Sequence, residues 1–567
     1  MKREIYKVFT LVYVTLFMSC AAATIENPGD FQQLPSPDWR EQTIYFVMVD
    51  RFANGDVNND SLMPGGIEYG PNEYSWNGGD LKGLIDKLDY IKGMGFTAIW
   101  ITPPVENQWW DPSIPYAGYH GYWASSFTNI DAHYGNLDDY KNFVKMAHQK
   151  GIYVIQDIVC NHTGNYFKMT NENGAIFINT NAYPVYPREP FMSNSLAYYK
   201  NNGTNSIIDT LNAYHWTPDI MNWSNPIQLT NYQSSSLDDM NTENPLVLEN
   251  FKKWYNYWIE TVGIDGVRID TARNVPEWFW TDFCFSTNIN SPGMKEFAKK
   301  YAKSDFIMFG EVHTPGLVNE DQEAGKFTKD SFGNPVLDTV LYYPMYSAIQ
   351  KVFSENAPTV HVKSLFDNLP IYYRADAISK MVTFIDNHDK VRFLNGNSIK
   401  KEKLALLFIY TSIGIPCVYY GTEQKFTETR ATMFENGYHG SMLSKDYFDT
   451  SSEMYLFIKS LNALRKSYSP LMKGSQEIIY WNVSTAGILA YTRTEGEKKV
   501  LIIFNTASSS AFVNAIDIGL TSKTKMINVL STNGQEIIET TDDGKIYLSM
   551  PAVSVKVLVK QENYIPY

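Results

Sequence analysis

Short, nearly continuous apolar runs alternate with longer stretches of helical period between residues 44 and 467. The runs are 44–49 (IYFVMV), 97–102 (TAIWIT), 152–158 (IYVIQDI), 264–270 (IDGVRID), 306–311 (FIMFGE), 338–343 (DTVLYY), 381–386 (MVTFID) and 415–420 (IPCVYY). A strand without apolar–polar alternation is one covered on both faces, as in a parallel sheet. Helical patterns lie between them at 80–94, 137–150, 246–262, 294–303, 400–413 and 453–467. Eight strand–helix units over about 430 residues predict an α/β fold, a (β/α)8 TIM barrel carrying long insertions. The largest insertion, 163–245, follows the third strand; it is rich in Asn, Tyr, Ser and Pro with little period, and predicts an irregular subdomain on the catalytic face. The barrel is thus expected over 39–162 and 246–473. Beyond it the texture changes to short β-rich runs (EIIYWNV, GILAYTR, KVLIIFN, VSVKVLV), separated by turn signals at Thr494–Gly496 and Asn533–Gly534. They predict a C-terminal antiparallel β-sandwich over 474–567.

The N-terminus departs from this pattern. Lys2, Arg3 and Lys7 precede the apolar run Val8–Met18, which is too short to span a membrane, and Ser19 and Cys20 follow. Residues 1–19 read as an export signal. Cys20, after a small residue, resembles a bacterial lipoprotein cleavage site, although Phe17 and Met18 depart from its strictest form; secretion without a lipid is the alternative. Residues 20–38 then form a lipidated, Pro-bearing tether, and membrane contact runs only through Cys20. The expected location is the cell envelope, in the periplasm or at the outer membrane.

Composition narrows the partners. The net charge is −13, and removal of residues 1–19 leaves about −15, which disfavours nucleic acid or an anionic membrane surface. Aromatics make up 15% of the chain, with 39 Tyr and 13 Trp; flat amphipathic rings suit sugar faces as well as ordinary packing. Cys160, Cys284 and Cys417 are odd in number and far apart, so buried free thiols are expected in place of a disulfide framework.

In a barrel the C-terminal strand ends face the active site. Here those ends carry Asp50, then Asp157 with Asn161 and His162, Arg268 with Asp270, Glu311, and Asp386 with Asn387, His388 and Asp389. Arg268 and Asp270 share a strand face because side chains repeat with period two. The guanidinium would keep the carboxylate ionised and fixed in direction. Clustered acids raise one another's pKa, so one can stay protonated while another stays ionised, which is what retaining glycoside hydrolysis needs.

These residues resemble the alpha-amylase family of glycoside hydrolases. DIVCNH (157–162), GVRIDTARN (266–274), GEV (310–312) and FIDNHD (384–389) are similar to its four ordered signature regions; GYHGYW (118–123), GGDLKGL (78–84) and GIPCVYYGTE (414–423) are similar to its accessory motifs. The resemblance covers roughly residues 39–560 and implies the roles. Asp270 is the nucleophile, Glu311 the general acid and then base, and Asp389 the group that grips the distorted sugar. Arg268 orients Asp270; His120, His162 and His388 bind the sugar at the cleavage point; Tyr122 stacks beneath it. Asp157 braces Arg268. The carboxyl groups of Asp270 and Glu311 are expected roughly 5–5.5 Å apart.

The resemblance also implies calcium. Asn54, Asp56, Asn59 and Asp60, with the backbone of Gly78 and the carboxylate of Asp80, resemble a calcium loop of cyclodextrin glucanotransferases, and hard oxygen ligands suit Ca²⁺. A second site uses Asn161, Asp239 and the carbonyl of Asn274, a position where the family often has His. Two departures bear on activity. Cyclising members place a large aromatic where this chain has Ser235 and carry further C-terminal starch-binding domains. The Lys–His pair that follows the nucleophile in many amylases is Arg273–Asn274 here. The expected activity is hydrolysis of α-1,4-glucans by a monomer. The alternatives are cyclomaltodextrinase, neopullulanase, α-1,6-acting or transglycosylating members, and a glucan-binding protein without catalysis, against which intact Asp270, Glu311 and Asp389 argue.

Overall fold

The computed structural model describes residues 34–170, 175–178, 212–314, 319–531 and 534–566. The expected export signal, Cys20 and the start of the tether lie outside these residues, as does much of the expected insertion.

All eight apolar runs form strands, and the strands close on one another in chain order. They are β1 (Ile44–Val47), β2 (Ala98–Ile101), β3 (Tyr153–Ile158), β4 (Gly266–Ile269), β5 (Ile307–Glu311), β6 (Thr339–Leu341), β7 (Val382–Thr383) and β8 (Ile415–Tyr419). Every neighbouring pair is parallel. All are buried except Tyr153 at the start of β3. Inside the barrel Phe46 stacks on Trp100 at 3.7 Å and on Tyr419 at 5.1 Å.

The register decides what meets at the top. Asp157 on β3 pairs with Arg268 on β4, and Ile269 pairs with Gly310 on β5. One residue further, Asp270 stands beside Glu311. Gly310 is required by close approach: a Cβ there would come within 2.4 Å of Leu337 and 2.9 Å of Ala272.

Helix ends follow their capping chemistry. Asn136 and Asp139 form a reciprocal capping box that starts the helix Leu137–Gln149. Asn244 caps the helix Pro245–Thr261, whose Pro occupies the first turn. Several helices escaped the periodicity analysis, among them the following three. Glu277–Phe285 (EWFWTDFCF) is apolar nearly all round and has no amphipathic stripe. Tyr343–Ile349 begins inside the apolar run that reads as strand, with Pro344 in its first turn. Val360–Tyr372 carries Pro370 in its last turn.

The described part of the insertion holds a hairpin (Phe167–Thr170 with Ala175–Ile178) and a short helix, Pro226–Asn231. A bridge from His162 to Asp239 ties it to the end of β3, and one from Tyr214 to Met240 closes it on itself.

The C-terminal region forms a six-stranded antiparallel sheet and a two-stranded one. In chain order its strands are β9 (Ser475–Trp481), β10 (Ile488–Glu495), β11 (Lys498–Asn505), β12 (Ala511–Ile516), β13 (Lys525–Asn528), β14 (Glu536–Glu539), β15 (Ile546–Met550) and β16 (Ser554–Lys560). The large sheet runs β9-β10-β11-β16-β13-β14, and β12 pairs with β15. Strand alternation divides its apolar residues cleanly. Leu489, Tyr491, Val500, Ile502 and Phe504 join the barrel core. Ile488, Ala490, Leu501 and Ile503 face Val513, Ile516, Ile546 and Met550 in a second core. Cys160, Cys284 and Cys417 are buried free thiols. Among the described residues no helix is long and apolar enough to cross a membrane.

Candidate active site

One buried guanidinium organises the mouth of the barrel. Arg268 Nη1 donates to Asp157 Oδ1 at 2.9 Å and Oδ2 at 3.1 Å, and to Asp270 Oδ1 at 2.9 Å. Its Nη2 lies 2.7 Å from Glu311 Oε2. Three carboxylates thus share one fixed cation. Asp157 also accepts from Trp100 Nε1 (3.1 Å) and Tyr122 OH (2.8 Å), and its atoms are wholly enclosed. It braces the arginine.

The nucleophile candidate and the acid candidate are tied by the residue between β4 and the next turn. Thr271 adopts a left-handed conformation (φ 42°), a strained choice for a β-branched residue. The bend aims its N–H at Glu311 Oε2 (3.2 Å), while its hydroxyl donates to Asp270 Oδ2 (3.0 Å). Glu311 Oε1 accepts from Tyr343 OH at 3.0 Å, and that oxygen in turn accepts from Asn387 Nδ2 at 3.2 Å. Asn387 Oδ1 accepts from the Asp389 N–H at 3.0 Å. Arg430 donates to Asp389 Oδ1 (3.1 Å) and to the His388 carbonyl (3.0 Å).

Electrostatics follow from this enclosure. Burial pushes Asp270 well above the usual carboxylate range; Arg268 opposes it, and Glu311, Asp157 and Asp389 add to it. Asp157 is pushed up to about 6 by burial, against the pull of Arg268. Burial holds His120 and His388 well below the ordinary histidine range and His162 at about 4, so all three are neutral at pH 7. Neutral imidazoles and an aromatic ring pack beside this cluster, since Tyr122 bonds to Asp157. Tyr122 stacks on His388 with centroids 5.3 Å apart and 8° between planes. His388 Nδ1 is buried without a partner, and His120 Nδ1 accepts from the Tyr122 N–H, which leaves Nε2 as its donor. His162 is more occupied: Nε2 contacts the Tyr122 carbonyl at 3.1 Å and Nδ1 contacts Asn161 Nδ2 at 3.2 Å.

Asp270, Glu311, Asp389, Arg268, His120, Tyr122 and His388 therefore gather at one mouth. Two other strand-end acids do not join them. Asp50 accepts from the Asn77 and Gly78 N–H groups and pairs with Arg51, and Asp386 accepts from the Phe393 N–H. They hold loops. Tyr343, Thr271 and Arg430 were not singled out by sequence, although Tyr343 ends the apolar run 338–343; Asn387 was named at its strand end without a role.

The two calcium candidates differ in how their donors are spent. In the first, Asn54 Oδ1 and Asn59 Oδ1 are buried without partners. Burial raises Asp60, with Asp80 and Asp56 adding to it. Gly78 (φ +101°) has no room for a side chain, since a Cβ would meet Asp60 Oδ1 at 2.5 Å and Asn54 Nδ2 at 2.6 Å. Asp56 turns outward to Asn58 and Lys82, and Asp80 caps a helix through the Gly83 N–H (2.6 Å). Asn54, Asn59 and Asp60 thus fit a hard cation; Asp56 and Asp80 are engaged elsewhere. In the second, Asp239 Oδ1 is buried and unpartnered while Oδ2 pairs with His215 at 2.7 Å, and the Asn274 side chain donates to the Leu229 carbonyl. Among the described residues no three His, Cys, Asp or Glu side chains converge in a metal-binding geometry, so any site here must draw on amide and carbonyl oxygens.

A family model for the alpha-amylase catalytic domain matches residues 46–461. The chain is 32% identical over 560 residues to a beta/alpha-amylase of Paenibacillus polymyxa, covering 96% of this chain and 39% of that protein. It is 30% identical to an alpha-amylase of Streptomyces lividans, covering 85% of this chain and 56% of that one. It therefore spans about two fifths and just over half of those relatives' lengths. Among solved structures, an Anoxybacillus alpha-amylase matches with a TM-score of 0.69 at 29% identity, covering 92% of this chain and 98% of that one. CldA, described as a cyclomaltodextrin glucanotransferase with a three-domain ABC distribution, matches with a TM-score of 0.73 at 30% identity, over 91% and 99%.

Proposed function

The chain belongs to the alpha-amylase family, and from that membership and the geometry of the site we propose that it is a retaining glycoside hydrolase cleaving α-1,4-glucosidic bonds of starch or maltodextrins. The observation that carries this reading is the pairing of Asp270 and Glu311 on the single guanidinium of Arg268, with Asp389 held by Arg430.

The chemistry follows from the hydrogen bonds. Asp270 Oδ2, steadied by the Thr271 hydroxyl, attacks the anomeric carbon while Glu311 gives its proton to the glycosidic oxygen. The bond to the leaving glucose breaks and a glycosyl–aspartate ester forms. Glu311, now a carboxylate held by Tyr343 and the Thr271 N–H, takes a proton from water, which attacks the same carbon and frees Asp270. Asp389 and neutral His120 and His388 engage the sugar hydroxyls. Arg268 pulls Asp270 toward the ionised form against its burial.

Ser235 is exposed and offers no ring for a glucan chain to curl around, which favours hydrolysis over cyclisation. The number of domains does not decide that point, because CldA is named a glucanotransferase with a three-domain ABC distribution. Calcium held by Asn54, Asn59, Asp60 and the Gly78 carbonyl would clamp the loop after β1; at Asn161, Asp239 and the Asn274 carbonyl it would join the insertion to the barrel. Export as a lipoprotein through Cys20 rests on the N-terminal pattern, and Cys20→Ala should move the enzyme from the membrane fraction to the soluble one.

Product analysis tests the activity: residues 21–567 on soluble starch, pullulan and β-cyclodextrin, beside Asp270→Asn. Maltooligosaccharides from starch and a dead variant support the proposal. Preferred attack on pullulan or cyclodextrin moves the specificity to a neopullulanase or cyclomaltodextrinase. Binding of maltooligosaccharides without any product overturns catalysis altogether.

A further inference from the structure

The helix Glu277–Phe285 has a face that the barrel does not use. Phe279, Trp280, Phe283 and Cys284 are buried, and Trp280 Nε1 anchors the helix to the Ala272 carbonyl at 2.9 Å. Trp278, Thr281, Asp282 and Phe285 are spaced three, four and seven residues along, so they share the opposite, outward side. Trp278 is 50% exposed. Among the described residues its ring meets no other ring and its indole N–H has no acceptor. A large aromatic left in water beside polar neighbours marks a surface that meets something.

Those four residues line a groove of about 1020 Å³ together with Asp330 and Val336. Asp330 folds its own loop, accepting from the Phe332 and Asn334 N–H groups at 2.8 Å each and from Asn334 Nδ2 at 2.9 Å, which leaves Phe332 outside. At Asn288 the groove meets a second hollow of about 590 Å³, walled by Tyr257 and Phe297. The two run in series over the outer helices, with aromatic rings at intervals. None of Asp270, Glu311 and Asp389 lines either hollow.

The chemistry of the track selects its occupant. Among the described residues the charged groups lining the first hollow are Glu277, Asp282 and Asp330, with no Lys or Arg. Asp282 Oδ1 is taken by Lys252 at 2.5 Å. On a chain of net charge −13, such a groove repels phosphates, sulfates and nucleic acid. It suits a neutral ligand whose hydroxyls donate to carboxylates and whose apolar face lies on an indole. A single small ligand occupies about 300–1,000 Å³; two hollows in series offer room for a chain. We propose that this outer track is a second carbohydrate site, separate from the catalytic mouth, where an α-1,4-glucan chain lies with one glucose on the Trp278 ring and hydroxyls donating to Glu277 and Asp282. The identity of the glucan rests on the hydrolase reading above. Bound there, the enzyme stays on an insoluble particle while other chains pass through the mouth.

Two assays on the full chain separate the track from the mouth: retention on insoluble starch, read in an Asp270→Asn background so that nothing is cleaved, and turnover of maltotetraose with Asp270 intact. Trp278→Ala should weaken retention about five- to tenfold, the loss of one stacked ring, while kcat/KM for maltotetraose changes less than about twofold. Trp278→Phe keeps a ring on the outward face and should recover most of the retention. Unchanged retention in Trp278→Ala would overturn the proposal. So would equal losses in both assays, which would place Trp278 in the mouth or the fold. A wild type that cleaves neither starch nor maltotetraose, yet loses its hold on starch when Trp278 is replaced, would defeat the hydrolase reading and leave the track standing.

Discussion

Replacing Arg268 by Met removes the one cation that three buried carboxylates share. Each contact is 2.7–2.9 Å, which at an effective dielectric of about 20 corresponds to roughly 6 kcal/mol of attraction apiece before desolvation is counted. Most of that is offset by the cost of burying the ions, and breaking such a pair costs about 3–5 kcal/mol net. The loss depends on pH in a definite direction. Without the guanidinium, the folded-state pKa values of Asp157 and Asp270, already raised by burial, rise further above their unfolded values. Folding then takes up protons between about pH 4 and the raised values, so stability falls as pH rises through that window. Urea unfolding followed by tryptophan fluorescence should find Arg268→Met about 3–5 kcal/mol less stable than wild type near pH 7.5, and closer to it near pH 5. The same variant should be inactive near pH 5, where Asp270 is protonated. Arg268→Lys keeps the charge but not the fork; it should recover part of the stability and little of the rate. A deficit of under about 1 kcal/mol near pH 7.5, or the same deficit at both pH values, would refute the claim that Arg268 pulls these acids toward the ionised form.

Three further outcomes are expected. Tyr343→Phe removes the phenol that donates to Glu311 Oε1 and should lower kcat on starch about tenfold with little change in KM; an unchanged kcat would show that Glu311 does not depend on it. EDTA should lower the melting temperature of the wild type, and Asp60→Ala should both lower it and remove the EDTA effect; identical melting with and without chelator would dispose of calcium at the Asn54–Asp60 loop. Glu402, buried in the helix Ile399–Thr411, is pushed up to about 8 by burial, with Asp386 adding to it. It stays protonated when folded and ionises above about pH 4.3 when unfolded, so its contribution to stability declines from there to about pH 8. Glu402→Gln should therefore gain on the wild type as pH rises through that interval, and a pH-independent difference would count against the shift.

Period and patterning made the barrel legible because parallel strands covered on both faces have no alternation to lose, and all eight stood out as apolar runs. The helix Glu277–Phe285 did not, since Trp278, half exposed, adds an aromatic outside the buried face of Phe279, Trp280, Phe283 and Cys284 and so blurs the amphipathic stripe by which helices are read. The Tyr343–Ile349 helix was hidden for another reason: its first residues continue an apolar run, and only Pro344 marks the change. At the site, the strand-end rule found Asp270, Glu311 and Asp389. It also picked up Asp50 and Asp386, whose carboxylates serve loop backbone instead, because a sequence gives the end of a strand but not the direction a loop takes from it. Tyr343 was missed because a tyrosine in an apolar run reads as core until its hydroxyl is seen to reach a carboxylate.

The central claim is that Asp270 and Glu311, held on one guanidinium, carry out double displacement with retention. Proton NMR of maltooligosaccharide hydrolysis, recorded before mutarotation mixes the anomers, tests it most directly. The account predicts that the α-anomer of the product appears first and the β-anomer grows in only as mutarotation proceeds. A β-anomer formed first would mean that water attacks directly from the opposite face, and the role assigned to Asp270 would be wrong.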